Sequence, residues 1–262
     1  MRSRLCSNCS YSVSASIEFF WRRMNKRLLV QIAMLLMVLS ASGCGTLFHS
    51  QRIAPANIPL TRPVAREISI EELKRLLPAR PIAVGFDVDD TLIFSAPAFN
   101  ALQPAYPADV IRPKDYAALT PAQRRQYHEC WNRLNEEFDD RSIPKRIGKQ
   151  LLDLHVQRDD EIYIISRRQQ TVPPTNTVTR RLERLFGIRL RYPVVQTNLN
   201  DKTPFIAARD ILYYYGDSDS DITAAVGARA VPIRVKRSPA SYAKDRPHNG
   251  QLDEIVLENS LN

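Results

Sequence analysis

The stretch VGFDVDDTLIF, residues 84–94, decides the fold. It continues an apolar, β-branched run that begins at Pro81, which is typical of a buried strand. Three carboxylates, Asp87, Asp89 and Asp90, follow the run directly. Acidic residues are poor strand formers, and like charges so close raise each other's energetic cost. Crowded acids at the end of a buried strand therefore indicate a functional role at that end.

Helical and strand patterns alternate along the rest of the chain. Ser69 and Glu72 form a capping-box pattern that opens a helix over about 70–77, and Gly187 closes a later helix. Further helices are predicted over about 120–138, 144–157, 177–187 and 221–228. Strands are predicted in the runs at 161–166, 193–197, 211–217 and 230–235. This alternation predicts a doubly wound α/β fold, a parallel sheet wrapped by helices.

Polar side chains end three of the predicted strands. Asp87 ends the first, Ser166 ends the strand at 161–166, and Asp217 ends the strand at 211–217. The carboxyl ends of parallel strands lie at one edge of such a sheet, where ligands bind. Three strands that deliver polar groups to one edge predict a functional site there.

Four carboxylates converge on this predicted site: Asp87, Asp89, Asp217 and Asp221. Such a cluster needs a cation, or one member must hold a proton. Carboxylate oxygens suit Mg²⁺, which binds one or two protein carboxylates together with waters and substrate phosphate. A carboxylate also serves as a covalent nucleophile, and a second one as general acid and base. The cluster therefore suits a Mg²⁺ site and covalent or acid–base chemistry at a carboxylate.

Four motifs in order resemble those of the haloacid dehalogenase-like phosphohydrolases. DVDDT at 87–91 resembles the first motif, and Ser166 stands at the second. Lys202 stands where the third-motif lysine is expected, and GDSDSD at 216–221 resembles the fourth. Within this superfamily, the chain most resembles the class B non-specific acid phosphatases of bacteria. The stretches that carry this resemblance are residues 84–99, SIPK at 142–145, YYGDSDSDITAA and IRVKRSPASY. It extends from about Ile68 to the last residue.

The class B resemblance implies hydrolysis of phosphomonoesters, nucleotides among them, in the periplasm. It implies Mg²⁺ as cofactor, a homotetramer, and phosphoryl transfer to other alcohols as a side activity. Asp87 would be the nucleophile and Asp89 the general acid and then the base. The metal ligands would be Asp87, the backbone carbonyl of Asp89, and Asp217, with Asp221 supporting them.

The resemblance also assigns residues to the phosphoryl group. Ser166 and Lys202 would hold its oxygens, and Arg168 would face a phosphate or ribose. The second motif often reads Thr-Gly-Arg in this family, whereas this chain has Arg167 in place of the glycine. We expect Arg167 to point outward. Asp90 is interpreted as a turn-stabilising carboxylate.

Residues 95–143 lie where the superfamily inserts its cap, so a small helical cap is predicted there. The segment is rich in aromatic residues, which stack on nucleobase or aryl groups. By position Phe99, Phe138 and Tyr242 resemble the family's substrate pocket; the alternative is that they form the cap's own core. Trp131 is interpreted as core.

Residues 1–44 are interpreted as an upstream extension and a lipoprotein signal peptide. Lys26 and Arg27 precede an apolar run from 28 to 39, and ASGC at 41–44 resembles a lipobox that ends in the lipidated Cys44. Met24 also fits a start. The expected location is the periplasmic side of a membrane, with the outer membrane favoured. The alternative is a signal that is merely cleaved, or an uncleaved anchor.

The remaining residues divide into a tether, 45–68, and a phosphatase domain, 69–262. The whole chain has a formal net charge of +9. Residues 1–44 hold six basic residues and one acid, which leaves 31 basic and 27 acidic residues, a net charge of +4. Such a small excess does not predict binding to a nucleic-acid polymer. The predicted partners are small phosphomonoesters and the membrane.

The sequence is also compatible with other functions. A class C-type lipoprotein acid phosphatase shares the motif set and the lipid anchor. A catalytically weak, lipid-tethered binding protein on the same fold is a second alternative, since Arg167 departs from the family pattern. The CxxC pair of Cys6 and Cys9 lacks the second pair that a zinc site needs.

Overall fold

A computed structural model of the protein describes residues 66–113, 115–197 and 201–262. Most of the predicted tether, the predicted signal peptide, Cys44 and the CxxC pair lie outside these residues. Within them, no helix is both long and apolar enough to cross a membrane.

A seven-stranded sheet forms the centre of the described domain. Its members are β1 (Arg66–Ile68), β2 (Ala83–Phe86), β5 (Glu161–Ser166), β6 (Val195–Gln196), β7 (Tyr213–Gly216), β8 (Val231–Arg234) and β9 (Ile255–Leu257). The strand order is β1-β9-β8-β7-β2-β5-β6, and every pair is parallel. The fold prediction is confirmed. A short antiparallel pair, β3 (Ile93–Phe94) and β4 (Ile143–Pro144), lies outside this sheet.

The helices are mostly those that the sequence predicted. Their bounds are α1 (Ile70–Leu76), α2 (Ala96–Leu102), α3 (Ala108–Ile111), α4 (Pro121–Arg133), α5 (Arg146–Gln157), α6 (Thr177–Phe186), α7 (Thr203–Ala207) and α8 (Asp219–Gly227). Thr120 caps α4 through a reciprocal capping box with Gln123. Gly187 ends α6 with φ of 65°, a left-handed conformation that glycine adopts without steric cost.

Several boundaries differ from the sequence predictions, and three of the differences affect the tether and the cap. Arg66–Ile68 forms strand β1, so the last three residues of the predicted tether belong to the sheet. The helix predicted to run from 120 to 138 ends at Arg133 and continues as a π-helix, Leu134–Phe138, and a 3₁₀ turn, Asp139–Arg141. Pro144, predicted to start a helix, lies in β4, and α5 begins two residues later.

The cap has an apolar core separate from the sheet core. Residues 95–142 lie between β3 and β4 and fold as α2, α3, α4, the π-helix and the 3₁₀ turn. Phe99, Trp131 and Leu134 are among the buried residues of this core, as was predicted for Trp131. The antiparallel pairing of β3 with β4 brings the two ends of the insertion together at the first strand's acidic loop.

His155 is a buried residue of α5. Its Nδ1 lies 2.7 Å from Asp160 Oδ2 and its Nε2 lies 2.9 Å from the Tyr215 hydroxyl. A neutral ring satisfies both contacts, because Nδ1–H donates to the carboxylate while Nε2 accepts from the hydroxyl. Burial lowers the pKa of His155 below 6.5, although Asp160 opposes the shift.

Acid should therefore destabilise the fold through His155. The unfolded chain binds a proton at this histidine as the pH falls through 6.5, whereas the folded chain does so only at lower pH. The unfolded state then holds more protons, and the free energy of unfolding falls by up to about 1.4 kcal/mol per pH unit from this group. Urea titrations at pH 7 and pH 5 should show a steeper loss for wild type than for His155→Gln; equal losses would contradict the assignment.

Candidate active site

Asp87 lies directly after β2, and its backbone N–H donates to the Tyr215 carbonyl at 2.9 Å. The Lys202 ammonium, at the start of α7, donates to Asp87 Oδ1 at 2.5 Å. Both side chains are almost fully buried. Burial raises the pKa of Asp87, and the nearby acids raise it further, while Lys202 opposes the shift. The sheet thus places this carboxylate and its cation together at the predicted edge.

The fourth motif supplies two more buried carboxylates. Asp217 follows β7 and accepts from Thr91 Oγ1 at 3.5 Å and from Arg237 Nε at 2.5 Å. Asp221 Oδ1 accepts from Lys202 at 2.7 Å, and its Oδ2 accepts from the Ser218 hydroxyl at 2.6 Å in the capping box of α8. A Cβ at Gly216 would lie 2.3 Å from the Asp221 Cβ, so the glycine is required for this close approach.

Asp87, Asp217 and Asp221 fit a divalent metal. One ligand atom from each lies within 4.8 Å of the others, and all three residues are buried. Their donors are hard carboxylate oxygens, which Mg²⁺ prefers. Burial and the neighbouring acids raise the pKa of Asp217 as well as that of Asp87, so a cation would relieve the crowding. The Asp89 side chain is not in this cluster.

The Asp89 side chain instead pairs with Arg168. Arg168 Nη2 donates to Asp89 Oδ1 at 2.8 Å and Nε donates to Oδ2 at 3.0 Å, a bidentate contact. Nη2 also donates to Asp139 Oδ1 at 2.9 Å, and Nη1 lies 3.4 Å from Asn135 Oδ1. Burial favours a raised pKa for Asp89, but the charge and hydrogen bonds of Arg168 outweigh it and lower the pKa.

The sequence did not predict these contacts of Arg168. The residue is 1% exposed, and its guanidinium is engaged with Asp89 and the cap. Its predicted contact with a phosphate or ribose stays a prediction. Its other two partners are Asn135 of the π-helix and Asp139 of the 3₁₀ turn, and sequence reasoning missed both. The only sequence signal for these two residues was that an amide and an acid lie near the end of the helix predicted over about 120–138.

The two residues before Arg168 lie at the end of β5 and just beyond it. Ser166 ends β5, is 1% exposed, and its hydroxyl accepts from the Arg168 backbone N–H at 3.1 Å. Arg167 is exposed, as expected, and its charge still contributes to lowering the pKa of Asp221, after the larger effect of Lys202. The substitution of glycine by arginine at 167 therefore does not fill the site.

Asp90 is a turn residue, and it is tied to the C-terminal segment. Its φ is 60°, and its N–H donates to the Ile93 carbonyl at 2.7 Å. The Ser241 hydroxyl donates to Asp90 Oδ2 at 2.5 Å, and the buried Lys145 ammonium donates to the Asp90 carbonyl at 2.7 Å. Burial lowers the pKa of Lys145 to about 8, against the pull of Asp217 and Asp90. Sequence reasoning missed Lys145, Ser241 and Arg237 as supports of this loop.

The three predicted pocket aromatics lie in or against the cap core. Phe99 is 1% exposed and stacks on Tyr242 with 4.7 Å between ring centroids and 10° between planes. Phe138 packs against the same core, and the Arg133 guanidinium lies 5.1 Å from its ring centroid. Phe99 is therefore a core residue here, which is the alternative that the sequence left open for it.

Comparison with known proteins identifies relatives over most of the described domain. A class B acid phosphatase of Morganella morganii is 35% identical over 201 residues, covering 74% of this chain and 79% of the relative. A class B acid phosphatase of Enterobacter sp. (strain 638) is 37% identical over 202 residues, with the same coverage. No family model matches the chain.

Solved structures match the chain distantly. A HAD-superfamily hydrolase from Ehrlichia chaffeensis shares 18% identity, with a TM-score of 0.40 over 69% of this chain and 92% of that one. The sequence relatives decide between the class B and class C readings in favour of class B. Together with the ordered motifs at the strand ends, they establish that the chain belongs to the class B acid phosphatase family.

Proposed function

We propose that this acid phosphatase hydrolyses a broad range of phosphomonoesters, nucleotides and aryl or alkyl phosphates, through a covalent phosphoryl intermediate on Asp87. The observation that carries the proposal is the position of Asp87. It is buried at the end of the central strand, in contact with the Lys202 ammonium and beside two further acids. A carboxylate held next to a buried cation is placed to meet an anionic phosphoryl group.

In the first step, Asp87 attacks phosphorus and the bond to the leaving-group oxygen breaks. Lys202 and Ser166 hold phosphoryl oxygens and offset the charge that develops in the transition state. Asp89 gives a proton to the leaving oxygen. Arg168 lowers the pKa of Asp89, so Asp89 takes up its proton only at lower pH. Acidic solution therefore favours the protonated form that this step needs.

In the second step, water attacks the phosphorus of the aspartyl phosphate. Asp89, now a carboxylate, takes the proton from that water, and the bond from phosphorus to Asp87 breaks. The pairing with Arg168 favours this carboxylate form and fixes its orientation. An alcohol in place of water would accept the phosphoryl group, which accounts for the expected transferase side activity.

The metal would be held by Asp87, the Asp89 backbone carbonyl and Asp217, with Asp221 supporting them. When bound, Mg²⁺ supplies positive charge that polarises the phosphoryl group. The hydrogen bonds of Asp221 to Lys202 and Ser218 are consistent with that supporting role. We further propose the homotetramer that the class B family resemblance implies.

Removing divalent metal should abolish activity. Protein dialysed against a chelator should hydrolyse p-nitrophenyl phosphate at least about a hundredfold more slowly, because the metal provides several kcal/mol of transition-state stabilisation. Added Mg²⁺ should restore the rate and raise the melting temperature through binding to the folded state. Chelator already saturated with Mg²⁺ is the control. Full activity after dialysis would contradict the metal assignment.

We also propose that Cys44 is lipidated and holds the protein on the periplasmic side of a membrane, with the outer membrane favoured. The support is the sequence of 24–44 alone. Cys44→Ser should move the protein from the membrane fraction to the soluble fraction, with Cys130→Ser as the control. A Cys44→Ser protein that still sediments with membranes would instead indicate an uncleaved anchor.

A further inference from the structure

Arg112 is an exposed cation held against two aromatic rings of the cap. It directly follows α3, and its guanidinium carbon lies 5.4 Å from the Phe99 centroid and 5.3 Å from the Tyr242 centroid. These distances are within the range of cation–π attraction. Phe99 is buried in the cap core and stacks on the partly buried Tyr242, so Arg112 packs against a pair of rings that belongs to this core.

Both rings are tied to the loop that carries Asp89. Tyr242 follows Ser241, whose hydroxyl donates to Asp90 Oδ2. The Phe99 N–H donates to the Ser95 carbonyl at 3.2 Å, and the Ser95 hydroxyl hydrogen-bonds to Asp89. Arg112 therefore packs on two cap-core rings that are both linked, through neighbouring residues, to the loop of Asp89 and Asp90.

The charge of Arg112 reaches the same region. It is one of the positive charges that lower the pKa of Asp89, after the larger effect of Arg168, and it also lowers that of Asp245. Among the described residues, Arg112 forms no ion pair. Other arginines of the cap are engaged: Arg133 pairs with Glu137 at 3.0 Å, and Arg124 donates to the Ala117 carbonyl at 2.7 Å.

We propose that Arg112 binds a second anionic group, a carboxylate or phosphate, on the leaving group of the substrate. The inference rests on the proposed function, because Asp89 marks the leaving-group side only if it protonates the leaving oxygen. An arginine suits this task, since its planar fork of donors matches the geometry of carboxylate and phosphate. The enzyme then prefers doubly anionic phosphomonoesters over those with a neutral leaving group.

The test compares phenyl phosphate with 4-carboxyphenyl phosphate, which differ by one carboxylate on the leaving group. Arg112→Gln should reduce the ratio of kcat/KM for the carboxylated ester to that for phenyl phosphate by about tenfold, mainly through KM. Arg112→Lys should keep most of the ratio because it retains the charge. In wild type the ratio should fall as ionic strength rises.

Arg124→Gln is the matched control. It removes another cap arginine that lies 5.4 Å from an aromatic ring, that of Tyr116, and its ratio should equal the wild-type value. If Arg112→Gln keeps both the wild-type rates and the wild-type ratio, the inference is overturned while the phosphatase function stands. An equal loss of activity on both esters would also overturn the inference, because it would indicate a purely structural role. A wild-type enzyme inactive on both esters would overturn the proposed function together with the inference.

Discussion

Asp87→Asn should abolish turnover, by about four orders of magnitude or more, because an amide cannot form the phosphoryl intermediate. The fold should survive the change. Asparagine has the shape of aspartate, and Lys202 keeps its hydrogen bond to Asp221 at 2.7 Å. The substitution also removes one of several crowded buried carboxylates, so the melting temperature should be unchanged or higher. The rate with p-nitrophenyl phosphate and the melting temperature are the two measurements.

Asp90→Asn is the control for this prediction. It makes the same chemical change three residues later in the same loop, at an acid that the structure assigns to the turn and to Ser241. We expect this variant to stay within about tenfold of wild type, in the range of a lost hydrogen bond. An active Asp87→Asn, or an Asp90→Asn as inactive as Asp87→Asn, would refute the separation of roles among these acids.

Arg168→Met should lower both the free energy of unfolding and the activity. The substitution leaves Asp139, which is 0% exposed, without its main cation and frees the Asp89 carboxylate from its bidentate partner. Breaking a buried ion pair from one side costs about 3 kcal/mol or more of unfolding free energy. Denaturant titration measures that loss, and kcat measures the loss of Asp89 orientation.

The double variant Arg168→Met with Asp139→Asn separates charge from packing. Removing the second charge takes away the uncompensated buried carboxylate, so a substantial part of the lost stability should return. Activity should not return, because Asp89 still lacks its partner. If the single variant is as stable as wild type within about 1 kcal/mol, the network does not contribute as the contacts suggest.

The carboxylates of the site were predictable from sequence because the rule that places them is local. Asp87, Ser166 and Asp217 each follow a short run of buried strand residues, and parallel strands end at one edge. The bounds of the strands were imprecise, and two strands of the sheet, β1 and β9, were not predicted. Strand β1 is three residues long and pairs with β9 across most of the chain, so no local pattern marked it.

The contacts between cap and catalytic loop were not predictable because they depend on tertiary geometry. Asn135 and Asp139 reach Arg168 from the π-helix and the 3₁₀ turn that follow α4, where the sequence predicted one continuous α-helix. From the sequence alone, Arg168 was equally suited to face a bound anion, because its contacts with Asn135 and Asp139 depend on the tertiary structure. The same holds for Arg112, whose importance follows from the stacking of Phe99 on Tyr242, residues far apart in the chain.

The stereochemical course at phosphorus tests the covalent mechanism most directly. The substrate is a phosphomonoester whose phosphorus is made chiral with heavy oxygen isotopes and sulfur, and the products are analysed for configuration. Attack by Asp87 followed by attack of water gives two in-line displacements, so we predict net retention of configuration at phosphorus. The result does not depend on how much intermediate accumulates. Net inversion would mean that water attacks the substrate directly, and it would contradict the role assigned to Asp87.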